Sequence, residues 1–225
     1  MAILADIAIL EVALRNAMHG ALDWQWGPFW YQTAPSQTFD QRSRDSITSA
    51  WNKIPKGRRS HVNDPALPGR LVANCMFGFW ANLLDEGGPI TKGGRKKADY
   101  DALWLVLRRA FKGGRAEAKT SGAKYRRVWV HSVVKEVNDL RNRVAHHEPV
   151  INGYPLSGQN RRRAVRQGHE ACLKLARMLD SNLAAWIAAN STVPAILSNR
   201  PTSMPVDTTR CLMSPHLVAA GYPDF

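Results

Sequence analysis

The sequence predicts an all-α protein, most simply a helical bundle. Six segments of the 225-residue chain carry apolar residues three and four positions apart, which is the spacing of one face of an amphipathic helix. No strong strand signal and no internal repeat stand out along the chain. Because 44% of the residues are hydrophobic, these helices can enclose a substantial core.

Three helices are predicted in the first half of the chain. They span Ile3–Leu22, Phe39–Ile54 and Arg70–Asp85. Gly27 and Pro28 should stop the first helix within a tryptophan-rich stretch. We expect Trp24, Trp26 and Trp30 to pack in the core or in a lid, and stacking on a ligand is the alternative. Gly78 inside the third helix costs about 1 kcal/mol relative to Ala, so a neighbouring helix is expected to approach closely there.

Three further helices are predicted in the second half. They span Asp99–Phe111, Lys124–Ala145 and Gln159–Asn190, the last with a break near Asp180 and Ser181. Four cations lie at the end of the first of them: Arg108, Arg109, Lys112 and Arg115. They complement the negative end of the helix dipole, and the lining of a groove is the alternative.

The helical pattern defines the expected domain organisation. Residues 1–190 are expected to form the helical domain. Residues 191–225 hold five of the 13 prolines and have weak periodicity, so we expect an irregular or partly disordered extension.

The chain is strongly basic, with 31 Lys and Arg against 18 Asp and Glu and a formal net charge of +13. This balance favours polyanionic partners, with nucleic acid first among them. Cys75, Cys172 and Cys211 are isolated, so neither a disulfide framework nor a zinc knuckle is predicted, and a reducing cytoplasm is the expected compartment. The apolar N-terminus contains Asp6 and Glu11 and is not a signal peptide, and no apolar run reaches the roughly 18 residues of a membrane span.

The stretch Asn138–Val150, N-D-L-R-N-R-V-A-H-H-E-P-V, gathers the most groups that can bind phosphate or move a proton. An arginine followed four to six residues later by a histidine is uninformative alone, because that spacing recurs at Arg126/His131, Arg163/His169 and Arg210/His216. Context distinguishes Arg141 and His146. Asn142 and His147 accompany them at the end of an apolar helical stripe, and a helix-stopping Glu-Pro follows at once.

Arg141 falls inside the apolar arc of its predicted helix, between Val134 and Val137 when viewed down the axis. A charge on such a face must be paired, or must face a cleft or a second subunit, because an unpaired buried charge is too costly. A purely structural interpretation pairs Arg141 with a core carboxylate, such as that of Asp139 or Glu148, and lets the histidines cap the helix C-terminus.

The motif also resembles a known family. L-R-N-R-V-A-H-H-E-P resembles the R-x4-6-H signature of HEPN-domain ribonucleases, and more closely the R-N-R-x-A-H-H-E form of bacterial Abi-like (abortive infection) proteins. Leu10–His19, L-E-V-A-L-R-N-A-M-H, and Phe77–Leu84, F-G-F-W-A-N-L-L, also resemble the Abi-like pattern, so the resemblance spans residues 10–187. Abi-like proteins carry more helix before L-E-x-A-L-R-N, and we expect this chain to be short at its N-terminus relative to them.

The resemblance implies a HEPN-like helical bundle that forms a homodimer and cleaves RNA without a metal or cofactor, leaving a cyclic phosphate, as a toxin or anti-phage effector. An antitoxin, protein or RNA, would be a partner. Arg141 would clamp the phosphate and His146 would be the general acid or base. Asn142 would orient one of them, and His147 would be a second proton carrier. A catalytically inactive HEPN-like module that binds RNA or a protein is the alternative, with a DNA-binding regulator as a third possibility.

Seven further arginines are candidates for RNA contact: Arg126, Arg127, Arg143, Arg161, Arg162, Arg163 and Arg166. The last four are expected in the first turns of the Gln159–Asn190 helix. Cations there oppose the helix dipole, so an external anion would explain them, and a solvated face is the alternative.

Helix geometry constrains the site. Positions 141 and 146 lie about 140° apart on a regular helix, and positions 141 and 147 about 120° apart, so one straight helix cannot present either pair side by side. Either the helix unwinds near Ala145, or a two-fold partner brings its own arginine and histidine into a shared cleft. We expect the composite dimer site.

Overall fold

The longest helix, α1 (Ala2–Trp26), packs against helices from both halves of the chain. Its buried side chains include those on the face that the periodicity predicts: Ile3, Ile7, Leu10, Leu14 and Met18. A computed structural model describes residues 2–61, 64–150, 152–156 and 162–199. Helices account for most of these residues, and the all-α prediction is therefore confirmed.

Shorter elements follow α1 in the part of the chain that the structure describes. The helices are α2 (Trp30–Thr33), α3 (Gln41–Asn52), α4 (Lys56–Arg59), α5 (Leu67–Asn74), α6 (Phe77–Asn82), α7 (Tyr100–Leu107), α8 (Gly114–Thr120), α9 (Arg127–Ala145), α10 (Val165–Leu179), α11 (Ser181–Asn190) and α12 (Val193–Ser198). A 3-10 turn, Arg108–Ala110, continues α7. Strands β1 (Tyr154–Pro155) and β2 (Arg162–Arg163) pair antiparallel. One continuous cluster of buried apolar side chains joins α1 to α5, α6, α7, α9 and α10.

The third predicted helix is divided in two. Cys75 and Met76 have extended backbone, with ψ of 125° and 159°, and they separate α5 from α6. On an unbroken helix Phe77 would lie on the far side from the apolar arc. The break buries Phe77 and leaves Met76 58% exposed, so the core contact of Phe77 compensates for the interrupted helix.

The last predicted helix begins later than expected. It starts at Val165 rather than Gln159, and Arg162 and Arg163 lie in β2 instead of in helical turns. The predicted break at Asp180 is present. Oδ1 of Asp180 accepts hydrogen bonds from the backbone N–H groups of residues 182 and 183 and so caps the N-terminus of α11.

The extension predicted to be irregular opens with a short helix, α12. Val193 at its start is buried, and α12 packs against α10. Residues 200–225 lie outside the described residues.

The tryptophans divide between core and surface. Trp30 is fully buried, its indole N–H donates to Nδ1 of His19 at 2.9 Å, and its ring packs on Phe79 and Trp80. Trp24 is 63% exposed and does not pack in the core, which leaves the stacking alternative open for it. The helix that carries Trp24 runs on to Trp26, past the predicted end of the first helix, and that turn projects the indole outward.

Candidate active site

Helix α9 carries the arginine-histidine motif. Its buried side chains include the apolar stripe that the sequence predicts: Val130, Val133, Val134, Val137, Leu140 and Val144. The helix packs against α1, α6 and α10. Arg141 lies at the edge of this stripe, with its side chain 23% exposed. The motif is therefore carried by a helix that is anchored in the core.

Arg141 is paired across the fold. Its Nε atom lies 3.5 Å from Oε2 of Glu11, a residue of α1 whose side chain is 21% exposed. Its Nη1 atom lies 3.5 Å from Oδ1 of Asn142. The charge on the edge of the apolar stripe is thus compensated by a carboxylate from the N-terminal helix.

The two acids suggested as partners for Arg141 face other cations. Nζ of Lys135 lies 3.0 Å from Oδ2 of Asp139, and Nη1 of Arg143 lies 2.9 Å from Oε2 of Glu148. Both pairs form between residues four or five positions apart. Each of these acids thus forms an ion pair with a cation close to it in the sequence, and neither pairs with Arg141.

Arg141 lines a groove of about 1230 Å³, named here the Arg141 groove. Helices α3, α6 and α9 and the segment 85–93 supply its walls. Asn138 and Asn142 add amide groups to the α9 wall, and Oδ1 of Asn138 is buried without a hydrogen-bond partner among the described residues. A guanidinium beside two amides offers several donors to the oxygens of a phosphate.

Gly78 opens onto this groove. Apart from its chain neighbours and the backbone of its own helix, no described atom lies within 4 Å of the position that a Cβ would take, so the predicted close approach of a helix at Gly78 was wrong. Cys75 also lines the groove. Burial raises the pKa of its thiol to about 12, although Lys53 and Arg15 act in the opposite direction, so the thiolate is scarce at neutral pH.

The acids beside the groove hold its wall together. Oδ1 of Asp40 accepts from the backbone N–H of Ser43 at 2.8 Å, and its Oδ2 accepts from Gly88 N–H at 2.9 Å and from Arg42 at 3.0 Å. Burial alone would raise the pKa of Asp40, but these bonds and the Arg42 charge lower it below its ordinary value. Arg42 also binds Asp85 at 2.6 Å, so this network joins α3 to the segment 85–93.

His146 and His147 follow directly after α9 and cap its C-terminus. The His147 N–H donates to Val144 O at 3.1 Å and the Glu148 N–H to Arg143 O at 2.9 Å, the hydrogen-bond pattern of a Schellman cap. His147 has φ of 57°, a left-handed conformation that costs about 1–2 kcal/mol outside glycine. Both imidazoles are exposed and make no hydrogen bond with the described residues.

Within one chain, Arg141 and His146 do not meet. The His146 N–H still donates to Asn142 O at 3.0 Å, so His146 keeps the register of the helix although α9 ends at Ala145. Arg141 therefore points towards α1 while His146 points into solvent, as the angular separation requires. The helix does end where the unwinding alternative places a break, but the end does not bring the two side chains together.

Most of the arginines predicted to contact RNA are engaged in the protein's own contacts. Arg127 donates to Oδ1 of Asp101 at 2.8 Å and to the carbonyls of residues 84 and 85, with only 11% of its side chain exposed. Arg143 pairs with Glu148. These two guanidiniums are poorly placed for RNA, because each already satisfies a local acceptor.

The β2 arginines are also engaged. Arg162 donates to the carbonyls of Asn152 and Gly153, and Nε of Arg163 lies 3.3 Å from Oε1 of Glu136. These contacts correct the expectation that they crowd a helix N-terminus. Arg126 and Arg166 are exposed and make no ion pair with a described residue. Arg161 lies outside the described residues.

Asp6, His169 and Ser191 form a polar cluster that the sequence pattern does not predict. The Ser191 hydroxyl donates to Oδ2 of Asp6 at 2.6 Å and lies 3.1 Å from Nε2 of His169. In a hydrolytic Ser-His-Asp triad, one ring nitrogen of the histidine faces the serine and the other faces the aspartate. Here Nε2 of His169 faces both Ser191 and Asp6. The cluster therefore ties α1, α10 and the start of α12 together as a structural contact. No local spacing signals it, because its members lie at opposite ends of the chain.

No family model, curated protein or solved structure matches this chain. Over the described ranges, no three or more His, Cys, Asp and Glu side chains converge in a metal-binding arrangement. None of the described helices has the length and hydropathy for crossing a bilayer.

Proposed function

We propose that this protein is a metal-independent RNA endonuclease of the HEPN type, acting in the cytoplasm as a toxin or anti-phage abortive-infection effector. The observation that carries the proposal is the layout of R-N-R-V-A-H-H-E on α9. Arg141 lines a groove large enough for a nucleotide segment, and two exposed imidazoles follow at the end of the same helix.

RNA carries its own nucleophile, which limits what the protein must supply. The 2′-oxygen attacks the adjacent phosphorus while the bond from phosphorus to the 5′-oxygen breaks, leaving a 2′,3′-cyclic phosphate and a 5′-hydroxyl. One imidazole, His146 or His147, accepts the proton of the 2′-hydroxyl, and the second donates a proton to the departing 5′-oxygen. Arg141 stabilises the charge that builds on the non-bridging oxygens, helped by Asn142.

A complete site needs two chains in this scheme. Arg141 and His146 face different directions on one helix, and the exposed histidines are free to enter a second copy's groove. In a two-fold dimer, each groove then receives its histidines from the partner. Glu11 holds Arg141 in place before RNA arrives, and an antitoxin, protein or RNA, is the partner that would keep such an enzyme silent.

Incubation of the purified protein with total RNA in EDTA tests this function. The wild type is expected to produce fragments with 5′-hydroxyl and 2′,3′-cyclic phosphate ends, and Arg141→Ala and His146→Ala are each expected to lower the cleavage rate at least about 100-fold. Arg58→Ala and His61→Ala are matched controls, because both residues are exposed and lie outside the motif. Their activity should equal that of the wild type.

A catalytically inactive module that binds RNA or a protein is the competing function. It is favoured by the Glu11 and Glu148 carboxylates, which already neutralise two arginines of the motif. Salt-sensitive RNA binding without any cleavage product, in EDTA or in Mg²⁺, would establish it in place of the nuclease.

A further inference from the structure

A second groove, of about 950 Å³, lies away from the Arg141 groove and shares no lining residue with it. It is bounded by the C-terminal half of α1, the segment 108–115, Tyr125 and the junction of α10 with α11. We call it the basic groove. The proposed chemistry at Arg141 makes no use of it.

Four cations line the basic groove: Arg108, Arg109, Lys112 and Arg115. All four are exposed, and none forms an ion pair or a side-chain hydrogen bond with another described residue. Asp180 is the sole acid among the lining residues, and its Oδ1 already caps α11. The groove therefore presents a concentrated, uncompensated positive charge.

The helix dipole does not account for the whole of this cluster. The 3-10 turn that continues α7 ends at Ala110, so Arg108, Arg109 and Lys112 are close enough to its C-terminus to complement the dipole. Arg115 lies in the first turn of α8, where a positive charge opposes the dipole. An external anion is the better explanation for the set.

An exposed aromatic side chain lies beside the cations. The guanidinium carbon of Arg109 lies 3.5 Å from the ring centroid of Trp24, and the indole is 63% exposed. The guanidinium covers one face of the indole, so a nucleobase would stack on the opposite face, and the neighbouring cations give sites for its phosphates. An acidic peptide would use the cations but would leave the exposed indole without a role.

The backbone is shaped to form this groove. A Cβ on Gly113 would lie 2.0 Å from Arg177 O, and a Cβ on Gly114 would lie 2.4 Å from the Tyr125 ring. Glycine lets the segment approach α10 at position 113 and Tyr125 at position 114, and the groove-lining Lys112 and Arg115 flank these two glycines. On the opposite side, alanines and Gly20 of α1 line the groove and leave its floor open.

We infer that the basic groove binds a single-stranded RNA segment, with phosphates on its four cations and a base stacked on Trp24. The choice of RNA rests on the proposed function, whereas the preference for a single strand rests on the exposed indole, since bases inside a duplex are not available for stacking. The groove would hold part of the substrate at a distance from the cleaved bond.

Binding should be measured by fluorescence anisotropy of a labelled 12-nucleotide RNA, in EDTA, with the His146→Ala protein so that the probe stays intact. The double variant K112A/R115A is expected to bind at least about 10-fold more weakly, and the slope of log affinity against log salt should become shallower by about 1.4, or 0.7 for each lost phosphate contact. K96A/K97A removes the same charge from an exposed loop outside the groove and should change affinity less than about 2-fold.

Trp24 tests stacking separately from charge. Trp24→Ala is expected to weaken binding about 10-fold and Trp24→Phe to recover most of that loss, because phenylalanine keeps an aromatic face. Both variants should fold, since the side chain is largely exposed. Three outcomes would each overturn the assignment. They are equal weakening of binding by K112A/R115A and K96A/K97A, no effect of Trp24→Ala, and equal affinity for the single strand and the matched duplex. Loss of binding is read without cleavage, so failure of the nuclease proposal leaves this test interpretable.

Discussion

Nε of Arg141 lies 3.5 Å from Oε2 of Glu11, so the arginine of the motif on α9 is held by the N-terminal helix. Glu11 belongs to L-E-V-A-L-R-N, and Arg141 belongs to R-N-R-V-A-H-H-E. Two stretches that are far apart in the sequence thus make one contact. This contact fixes which way the guanidinium faces in the Arg141 groove.

Glu11→Gln is expected to slow RNA cleavage about 10-fold, because the amide no longer holds the Arg141 guanidinium by charge. The free energy of unfolding should change by less than about 1 kcal/mol, since the pair is partly solvated. Single-turnover cleavage and urea unfolding measure the two effects. Glu86→Gln, in an exposed residue that also lines the groove, is the control. A loss of stability that matches the loss of activity would show a purely structural role.

Mixing two inactive variants tests the shared site. In a heterodimer of Arg141→Ala with His146→Ala, one of the two composite sites keeps both groups intact. Random exchange of subunits should therefore restore about a quarter of the wild-type rate. If both groups act within one chain, every site stays defective and the mixture remains inactive. Re-folding the mixture from urea ensures exchange, and each variant treated alone provides the baseline.

His147 gives a prediction about stability. Its φ of 57° suits glycine, so His147→Gly is expected to raise the free energy of unfolding by about 1 kcal/mol. His146→Gly should bring no such gain, because His146 has φ of −90°. Urea unfolding of the two variants measures the difference. Should His147→Gly gain stability and lose cleavage, the strained residue is retained for function rather than for the fold.

Asp40 gives a prediction about pH. The pKa of Asp40 is lower in the folded protein than its ordinary value of 3.8. The Asp40 carboxylate therefore contributes fully to the free energy of unfolding above pH 3.8, and this contribution is lost as the pH falls through the folded-state pKa. Asp40→Asn should lower the free energy of unfolding by about 1–2 kcal/mol at pH 7. The difference in the free energy of unfolding between Asp40→Asn and wild type should become smaller below pH 3.8. Asp45→Asn, in an exposed residue, is the control and should change the free energy of unfolding at pH 7 by less than about 0.5 kcal/mol. A difference between Asp40→Asn and wild type that stays constant with pH would contradict this account.

Local sequence by itself determined the helical class, the apolar stripe of α9 and the breaks at Gly27 and Asp180. These features depend on side-chain periodicity and capping, which act over a few residues and can be recognised in a short stretch of sequence. The late start of α10 and the division of α5 from α6 could not be predicted from such short stretches. They depend on β1 pairing with β2 and on the burial of Phe77, which involve distant partners.

Only the tertiary structure decided what the candidate groups contact. Periodicity placed Arg141 on a buried face and required a partner, but the choice of Glu11 over Asp139 and Glu148 depends on how α1 packs against α9. The same packing exposes Trp24 beside Arg109 and so forms the basic groove. Ion pairs and grooves arise between elements that are distant in the chain, and the sequence constrains such contacts only through the whole packed fold.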